Sequence, residues 1–303
     1  MDNCVESIKK KPGRPRKFPV KNVVKKTGLS NKPLNEEHLV EFVYDNPLSL
    51  KKIFCLFKSM YITELCIEFK QDIIEFTTVD HLKKSFIKVV IYCKNTNFYY
   101  CGEVIKIYVN PNNLEKIIQV LDKNYISIAF VLKAVSSRSI LNIIYKNETE
   151  IDEFREIDLI KPNSGFIVPS FSDEGYTIKF MLSCKYFKKL VTDTGIFADI
   201  LTIEKIGKNP IMFIHTSNDK SVKTRHIVQS EKNIQLVSMI SEDEIFSSSV
   251  HIEYIKPLSS AMVSDNVYIS VDNSKNMIFR SEIDKKTIEV FINTAIIRNN
   301  RIR

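Results

Sequence analysis

The chain has 303 residues, 44% of them hydrophobic, and a formal net charge of +8, which is enough material for two domains of ordinary size with buried cores. No run approaches the roughly 18–20 apolar residues of a membrane-spanning helix, and six cysteines without a C-x-x-C pair or regular spacing read as reduced core thiols. Seven glycines that form no phosphate-binding loop, dinucleotide fingerprint or nucleophile elbow, and five scattered histidines with no ligand spacing, give no reason to expect an enzyme, a cofactor or a metal.

The charge is concentrated at the start. Met1 to Lys32 hold ten Lys and Arg against Asp2 and Glu6, which accounts for the whole excess; the remaining residues carry 34 bases and 34 acids. Residues 1–35 have four prolines, two glycines and little apolar periodicity, so this segment is expected to be a disordered basic tail. It has no apolar central region and does not resemble a secretory signal. Within it, Pro12-Gly13-Arg14-Pro15-Arg16-Lys17 resembles an AT-hook. Proline holds the backbone extended, glycine lets it approach the groove floor, and Arg14 and Arg16 lie along a narrow A·T minor groove, where the negative potential is strongest. Lys17 and Lys9 to Lys11 add salt-sensitive phosphate contacts. A localisation signal or a solvated tail is the other reading of such a run.

The body, from residue 36, alternates Ile, Val, Phe and Tyr with polar residues and is expected to be rich in strands. Clear strands are Ile62–Phe69, Ser85–Tyr92, Tyr125–Leu132, Ile140–Lys146, Tyr176–Leu182 and Thr287–Asn293. Four helices interrupt them. Asn46-Pro47 and Asn110-Pro111 are each an N-cap residue followed by proline at the first helical position. After them, Leu50, Ile53, Phe54 and Phe57, then Leu114, Ile117, Ile118 and Leu121, repeat a helical spacing. A third helix opens near Ser183 with Phe187, Leu190, Val191 and Thr194 facing inward. A fourth begins near Val250 with Ile252, Ile255 and Ser259, and Pro257 should shorten or bend it. The starts near 46, 110, 183 and 250 define four β-α-β-β-β units, an internal repeat expected to build two similar α+β domains with helices along one side of the sheets. The boundaries are 36–146 for the first domain, 147–161 for an acidic connector rich in Glu and Asp, and 162–303 for the second.

Lysines gather on the polar faces of two helices: Lys51, Lys52 and Lys58 on the first, and Lys185, Lys188 and Lys189 on the third. One such face alone keeps a helix solvated. Two at corresponding repeat positions suit a phosphate backbone.

This combination resembles the sliding-clamp family of proliferating cell nuclear antigen (PCNA), and within it the PCNA-like proteins of African swine fever virus and other large DNA viruses. The resemblance rests on the tail motif, on Glu41-Phe42-Val43-Tyr44-Asp45-Asn46-Pro47-Leu48, on Thr202-Ile203-Glu204-Lys205-Ile206-Gly207, on Ser260-Ala261-Met262-Val263-Ser264-Asp265 and on Phe279-Arg280-Ser281-Glu282-Ile283-Asp284. It implies a non-enzymatic ring, a homotrimer, that encircles double-stranded DNA and tethers DNA polymerase and other replication proteins. The six helix lysines would line the hole, with sheets outside and helices inside. Ile140–Lys146 and Val222–Gln229 would be the sheet edges that pair between subunits, and Leu82 and Phe86 would stand at the partner pocket beside the connector. The resemblance places the protein in a viral factory of the host cytoplasm, while the basic tail leaves nuclear entry open. Two other functions stay open at this point: a PCNA-fold transcription factor or docking platform that closes no ring, and an AT-hook architectural protein.

Overall fold

A computed structural model describes residues 28–60, 62–80, 84–133, 140–147, 152–162, 176–217, 219, 221–227, 234–239, 245–261, 264–272, 276–284 and 287–294. In chain order these form β1 (Gly28–Leu29), β2 (His38–Tyr44), α1 (Pro47–Ser59), β3 (Leu65–Phe69), β4 (Ile73–Val79), β5 (Ser85–Tyr92), a 3-10 turn (Cys93–Asn95), β6 (Phe98–Cys101), β7 (Ile105–Val109), α2 (Pro111–Gln119), β8 (Tyr125–Lys133), β9 (Ile140–Asn147) and β10 (Asp152–Asp158). The second half follows with β11 (Tyr176–Ser183), α3 (Cys184–Phe197), β12 (Ile200–Ile206), β13 (Met212–Thr216), β14 (Lys223–Ile227), β15 (Ile234–Met239), β16 (Ile245–His251), α4 (Ile252–Ala261), β17 (Asn266–Asp272), β18 (Met277–Ile283) and β19 (Ile288–Thr294).

The strand order makes the repeat explicit. Three sheets run β1-β6-β2-β8-β9-β10, β15-β11-β17-β18-β19-β5-β4-β3-β7 and β14-β13-β12-β16. In the first half, β6-β2-β8-β9-β10 is one block and β5-β4-β3-β7 another. In the second half the equivalent blocks are β15-β11-β17-β18-β19 and β14-β13-β12-β16. The two halves therefore have the same topology, and they join where β19 pairs antiparallel with β5, from Ile288 opposite Ile91 to Thr294 opposite Ser85. Nine strands thus cross the molecule as one continuous sheet.

Each helix forms for reasons visible in its own residues. Asn110 caps α2 through its side-chain oxygen, which accepts from the Asn112 amide at 2.9 Å, and Ser183 does the same for α3 from the Tyr186 amide at 3.3 Å. Asn46 makes no such side-chain bond, and Pro47 alone sets the start of α1. The apolar stripes are buried as their spacing requires: Leu50, Ile53, Phe54 and Phe57 on α1, and Phe187, Leu190 and Val191 on α3. Full burial of each such side chain contributes about 1.5–3 kcal/mol. Phe54 packs edge-on against Phe76 of β4 with ring centroids 5.8 Å apart, so α1 covers that face of the sheet. Helix α4 continues through Pro257 for ten residues. The helices lie as a row, α2 beside α1, α1 beside α4 and α4 beside α3.

Three expectations are corrected here. Residues 152–158 lie within the acidic connector, yet they form a strand, β10, paired antiparallel with β9 from Asp152 opposite Lys146 to Asp158 opposite Ile140. Backbone pairing holds this strand and Ile157 is its one buried side chain, so alternation of apolar residues could not signal it. As a consequence Ile140–Lys146 is internal, flanked by β8 and β10, and the edge of that sheet is β10. The strand expected from Ile62 begins at Leu65; Ile62 itself makes an isolated bridge to Asp80. The other expected edge, within 222–229, is β14 at the end of its sheet.

Candidate nucleic-acid interface

The four helices carry eight lysines and three acids. The six lysines expected to face DNA do not share one fate. The Lys51 ammonium donates to the carbonyl oxygens of Gln119 and Leu121 at 2.8 and 2.7 Å, which closes the C-terminal end of α2, where carbonyls lack helical partners and favour a cation. Lys58 reaches the carboxylate of Glu115, a nearly buried side chain on α2, at 2.9 Å. Lys52 is exposed on α1, and Lys185, Lys188 and Lys189 are exposed together on α3. The row is completed by exposed Lys256 on α4, which lies between the two lysine groups, and by exposed Lys116 on α2 at the outer end of the row. Between α1 and α4 lies a cleft of about 780 Å³ with Lys52 and Lys256 beside the apolar Leu48, Leu56 and Pro257.

The opposite face of the sheet has lysines too, but acids hold them. Lys70 and Lys88 both pair with Glu75 at 2.7 Å, and Lys106 and Lys70 with Glu68 at 3.5 Å. On the helix row cations exceed carboxylates by eight to three.

Arg14, Arg16 and Lys17 lie outside the described residues, as does Leu82. Phe86 is buried in β5, where it faces Asn293 of β19 across the junction of the two halves. The surface beside the connector is instead a cleft of about 500 Å³ lined by Lys106, Tyr108, Asp158, Ile160 and Pro162. The Ile160 amide donates to the Tyr108 carbonyl at 2.8 Å and fixes the segment after β10 against β7. Tyr108, Ile160 and Pro162 were not foreseen, because the contact spans about half a domain in sequence and no local spacing announces it.

The edge strands β10 and β14 differ in charge. β10 presents Phe154, Glu156 and Asp158 to solvent, and β14 presents Lys223, Arg225 and Ile227. On the inner side of β14, His226 packs against His215 of β13, with ring centroids 5.4 Å apart, and Phe197 stacks on the other side of His215. Burial, and then the neighbouring His226, push the His215 imidazole below its ordinary pKa.

The crystal structure of proliferating cellular nuclear antigen from Entamoeba histolytica matches this architecture with a TM-score of 0.71, over 86% of this chain and 99% of that one, at 15% sequence identity. The fold is PCNA-like. At that identity the likeness is one of fold, an α+β two-domain clamp with sheets on one side and helices on the other. In sequence, the chain is 28% identical over 301 residues to an uncharacterized protein of African swine fever virus, both in a Kenyan pig isolate and in a Namibian warthog isolate, covering 97% of this chain and 99% of each relative. No protein-family model matches it.

Proposed function

We propose that the protein is a DNA sliding clamp: copies join head to tail into a ring, a homotrimer, around double-stranded DNA and tether DNA polymerase and other replication proteins to it. The observation that carries this reading is the pair of open edges. Inside one chain, the last strand of a five-stranded block, β19, pairs antiparallel with the first strand of a four-stranded block, β5. The equivalent strands left over are β10 and β14, each at the edge of its sheet. Joining β10 of one copy to β14 of the next repeats the internal junction, and repetition of one heterologous contact closes a ring. The chemistry agrees. Antiparallel pairing of the exposed faces sets Asp158 and Glu156 against Lys223 and Arg225, and Phe154 against Ile227, and each such opposite-charge cross-strand pair adds about 0.2–1 kcal/mol. An open edge is otherwise a hazard for uncontrolled association.

Within that ring the helix row faces the DNA. Lys52, Lys185, Lys188 and Lys189, with Lys116 and Lys256, meet phosphates without reading bases, so no position on the duplex is preferred and the ring slides. Lys51 and Lys58 act chiefly within the protein. The tail adds a second grip through Arg14, Arg16 and Lys17 in A·T minor grooves, and the cleft of Tyr108, Ile160 and Pro162 receives short apolar segments of partner proteins.

The test is the native mass of the full chain and of a variant lacking residues 1–26. Both should have three times the 35.1 kDa subunit mass of the full chain, or of its shortened form. Monomers of the two at about 10 μM, well above the Kd of a contact worth more than about 8 kcal/mol, would overturn the ring and leave a docking platform as the better reading. Loss of A·T preference with retention of the trimer would assign the tail its accessory role.

A further inference from the structure

We infer that the open edge of β15 is a docking site for an extended acidic segment of a partner protein. Among the described residues, the two halves of the fold differ at the outer strand of the five-stranded block. In the first half the outer strand of the five-stranded block, β6, is covered: β1 adds to it in parallel, with Gly28 opposite Phe98 and Leu29 opposite Tyr99. The Gly28 amide donates to the Asn97 carbonyl at 3.3 Å and the Ser30 amide to the Tyr99 carbonyl at 2.8 Å. The fit is close. Gly28 has φ +62°, and a Cβ there would stand 3.0 Å from the Lys94 carbonyl oxygen. The fold therefore already contains one worked instance of strand addition at this position.

In the second half the equivalent strand, β15, pairs with β11 on one side and, among the described residues, with nothing on the other. Its Leu236 and Val237 are 45% and 56% exposed, high values for aliphatic side chains in a strand. Beside it opens a cleft of about 670 Å³, lined by Ile211, Ile234 and Leu236 and by Lys205 and Lys208.

Lys205 selects the partner's charge. It is 7% exposed, and its ammonium donates to the Gly207 carbonyl at 2.5 Å and the Asn209 carbonyl at 3.1 Å. Those bonds use two of its three N–H donors. No carboxylate pairs with it among the described residues. A buried charge is ordinarily compensated by an opposite one. A carboxylate entering the cleft supplies that compensation, with Lys208 at the rim adding to it. The segment then runs along β15 with main-chain hydrogen bonds for affinity, an apolar side chain against Leu236 and Ile211, and an acid at Lys205, the usual division of labour in strand addition.

The probe is a pair of nine-residue peptides, both with Leu or Val at alternate positions, one with Glu between them and one with Lys. They are titrated into the full-length protein while amide exchange is followed along the chain. The Glu peptide should slow exchange across 234–239, and the Lys peptide should not. Lys208→Glu, a change at an exposed position, should weaken the Glu peptide about tenfold, as loss and reversal of a charge-assisted contact does, and Lys205→Met should weaken it at least as much. Equal affinity of the two peptides, protection elsewhere than 234–239, or indifference to Lys208→Glu would overturn the assignment. Should Lys205→Met fail to fold, Lys208→Glu decides. The outcome is separate from ring closure, because the native mass is measured in the same samples and does not involve β15.

Discussion

The ammonium of Lys58 on α1 sits 2.9 Å from a carboxylate oxygen of Glu115 on α2, and Gln119 of α2 donates to the same oxygen. Glu115 is nearly buried while Lys58 is half exposed, so the pair ties two helices together more than it offers a cation to solvent. Lys58→Ala removes one of two partners from a buried carboxylate. With solvent screening of the exposed lysine, the expected loss is about 1–2 kcal/mol of stability, with little change in DNA retention. Lys52→Ala, or Lys185→Ala with Lys189→Ala, should do the reverse, leaving stability within about 0.5 kcal/mol and lowering the salt slope of DNA binding by about one per lysine removed. Thermal unfolding and DNA binding at several salt concentrations separate the two classes, and equal effects of Lys58→Ala and Lys52→Ala on the slope would contradict the assignment.

The charge pattern of the two open edges gives a swap experiment. Reversing the acids of β10 with Glu156→Lys and Asp158→Lys should convert the assembly to monomers, because like charges then face Lys223 and Arg225. Reversing the bases of β14 with Lys223→Glu and Arg225→Glu should do the same. Mixing the two variant proteins should let unlike copies pair but should not restore the trimer, since a ring of three must contain one contact between like copies. Combining all four changes in one chain should restore the trimer mass. Native mass spectrometry reads all four states, and a fourfold variant that stays monomeric would show that the edges are not complementary through these charges.

The helices were legible in the sequence because each carries its own instructions: the residues at i, i+3, i+4 and i+7 of α1 and the stripe of α3 are the buried ones. Ser85–Tyr92 was legible to the residue as β5, an apolar run between polar flanks. What could not be read was settled by partners far away in the chain. β10 has four acids among its seven residues and no alternation, so only its pairing with β9 makes it a strand. β1 is two residues long and exists because β6 offers an edge. For the candidate site the same division holds. The lysine excess of α1 and α3 was visible, but the capture of Lys51 by the end of α2 and of Lys58 by Glu115 depends on contacts 70 and 57 residues away. The cleft of Tyr108 and Ile160 was invisible for that reason as well.

His215 makes the β13–β14 hairpin sensitive to acid. Its imidazole is 2% exposed, stacked on Phe197, beside the Thr194 hydroxyl and against His226, with Asp193 as the opposing charge. Burial first, and His226 second, hold its pKa below the ordinary value near 6.5. The unfolded chain therefore takes up a proton on His215 as the pH falls through about 6.5, while the folded chain does not until lower pH. The stability contributed by the neutral imidazole is complete above that value and is lost as the pH falls toward the folded pKa. Amide protection across 212–227 should fall between pH 7.5 and 5.5, and His215→Phe, which keeps a ring against Phe197 without the titration, should flatten that dependence. An unchanged pH profile in the variant would assign the effect to other groups.

The junction of the two halves is the last place where a single change has a defined consequence. Ile292 of β19 faces Ile87 of β5 across the junction, both fully buried, and Val290 faces Val89 in the same register. Beside them Tyr92 of β5 donates to the Glu289 carboxylate of β19 at 2.8 Å, and Arg280 of β18 meets the other oxygen at 2.6 Å. Burial, and then that carboxylate, push the Tyr92 hydroxyl up to about 12, so it stays a donor throughout the physiological range. Ile292→Ala removes apolar contacts from both halves at once, and a rigid sheet junction has little means of collapsing around the gap. The expected cost is about 2–4 kcal/mol. Tyr92→Phe leaves the packing in place and removes one bond to a carboxylate that keeps Arg280, so its cost should stay near 1 kcal/mol. Guanidinium unfolding distinguishes the two through the transition midpoint. If the halves depend on this junction as one cooperative unit, Ile292→Ala shifts a single transition at constant slope; a second, earlier transition would show that one half unfolds while the other persists.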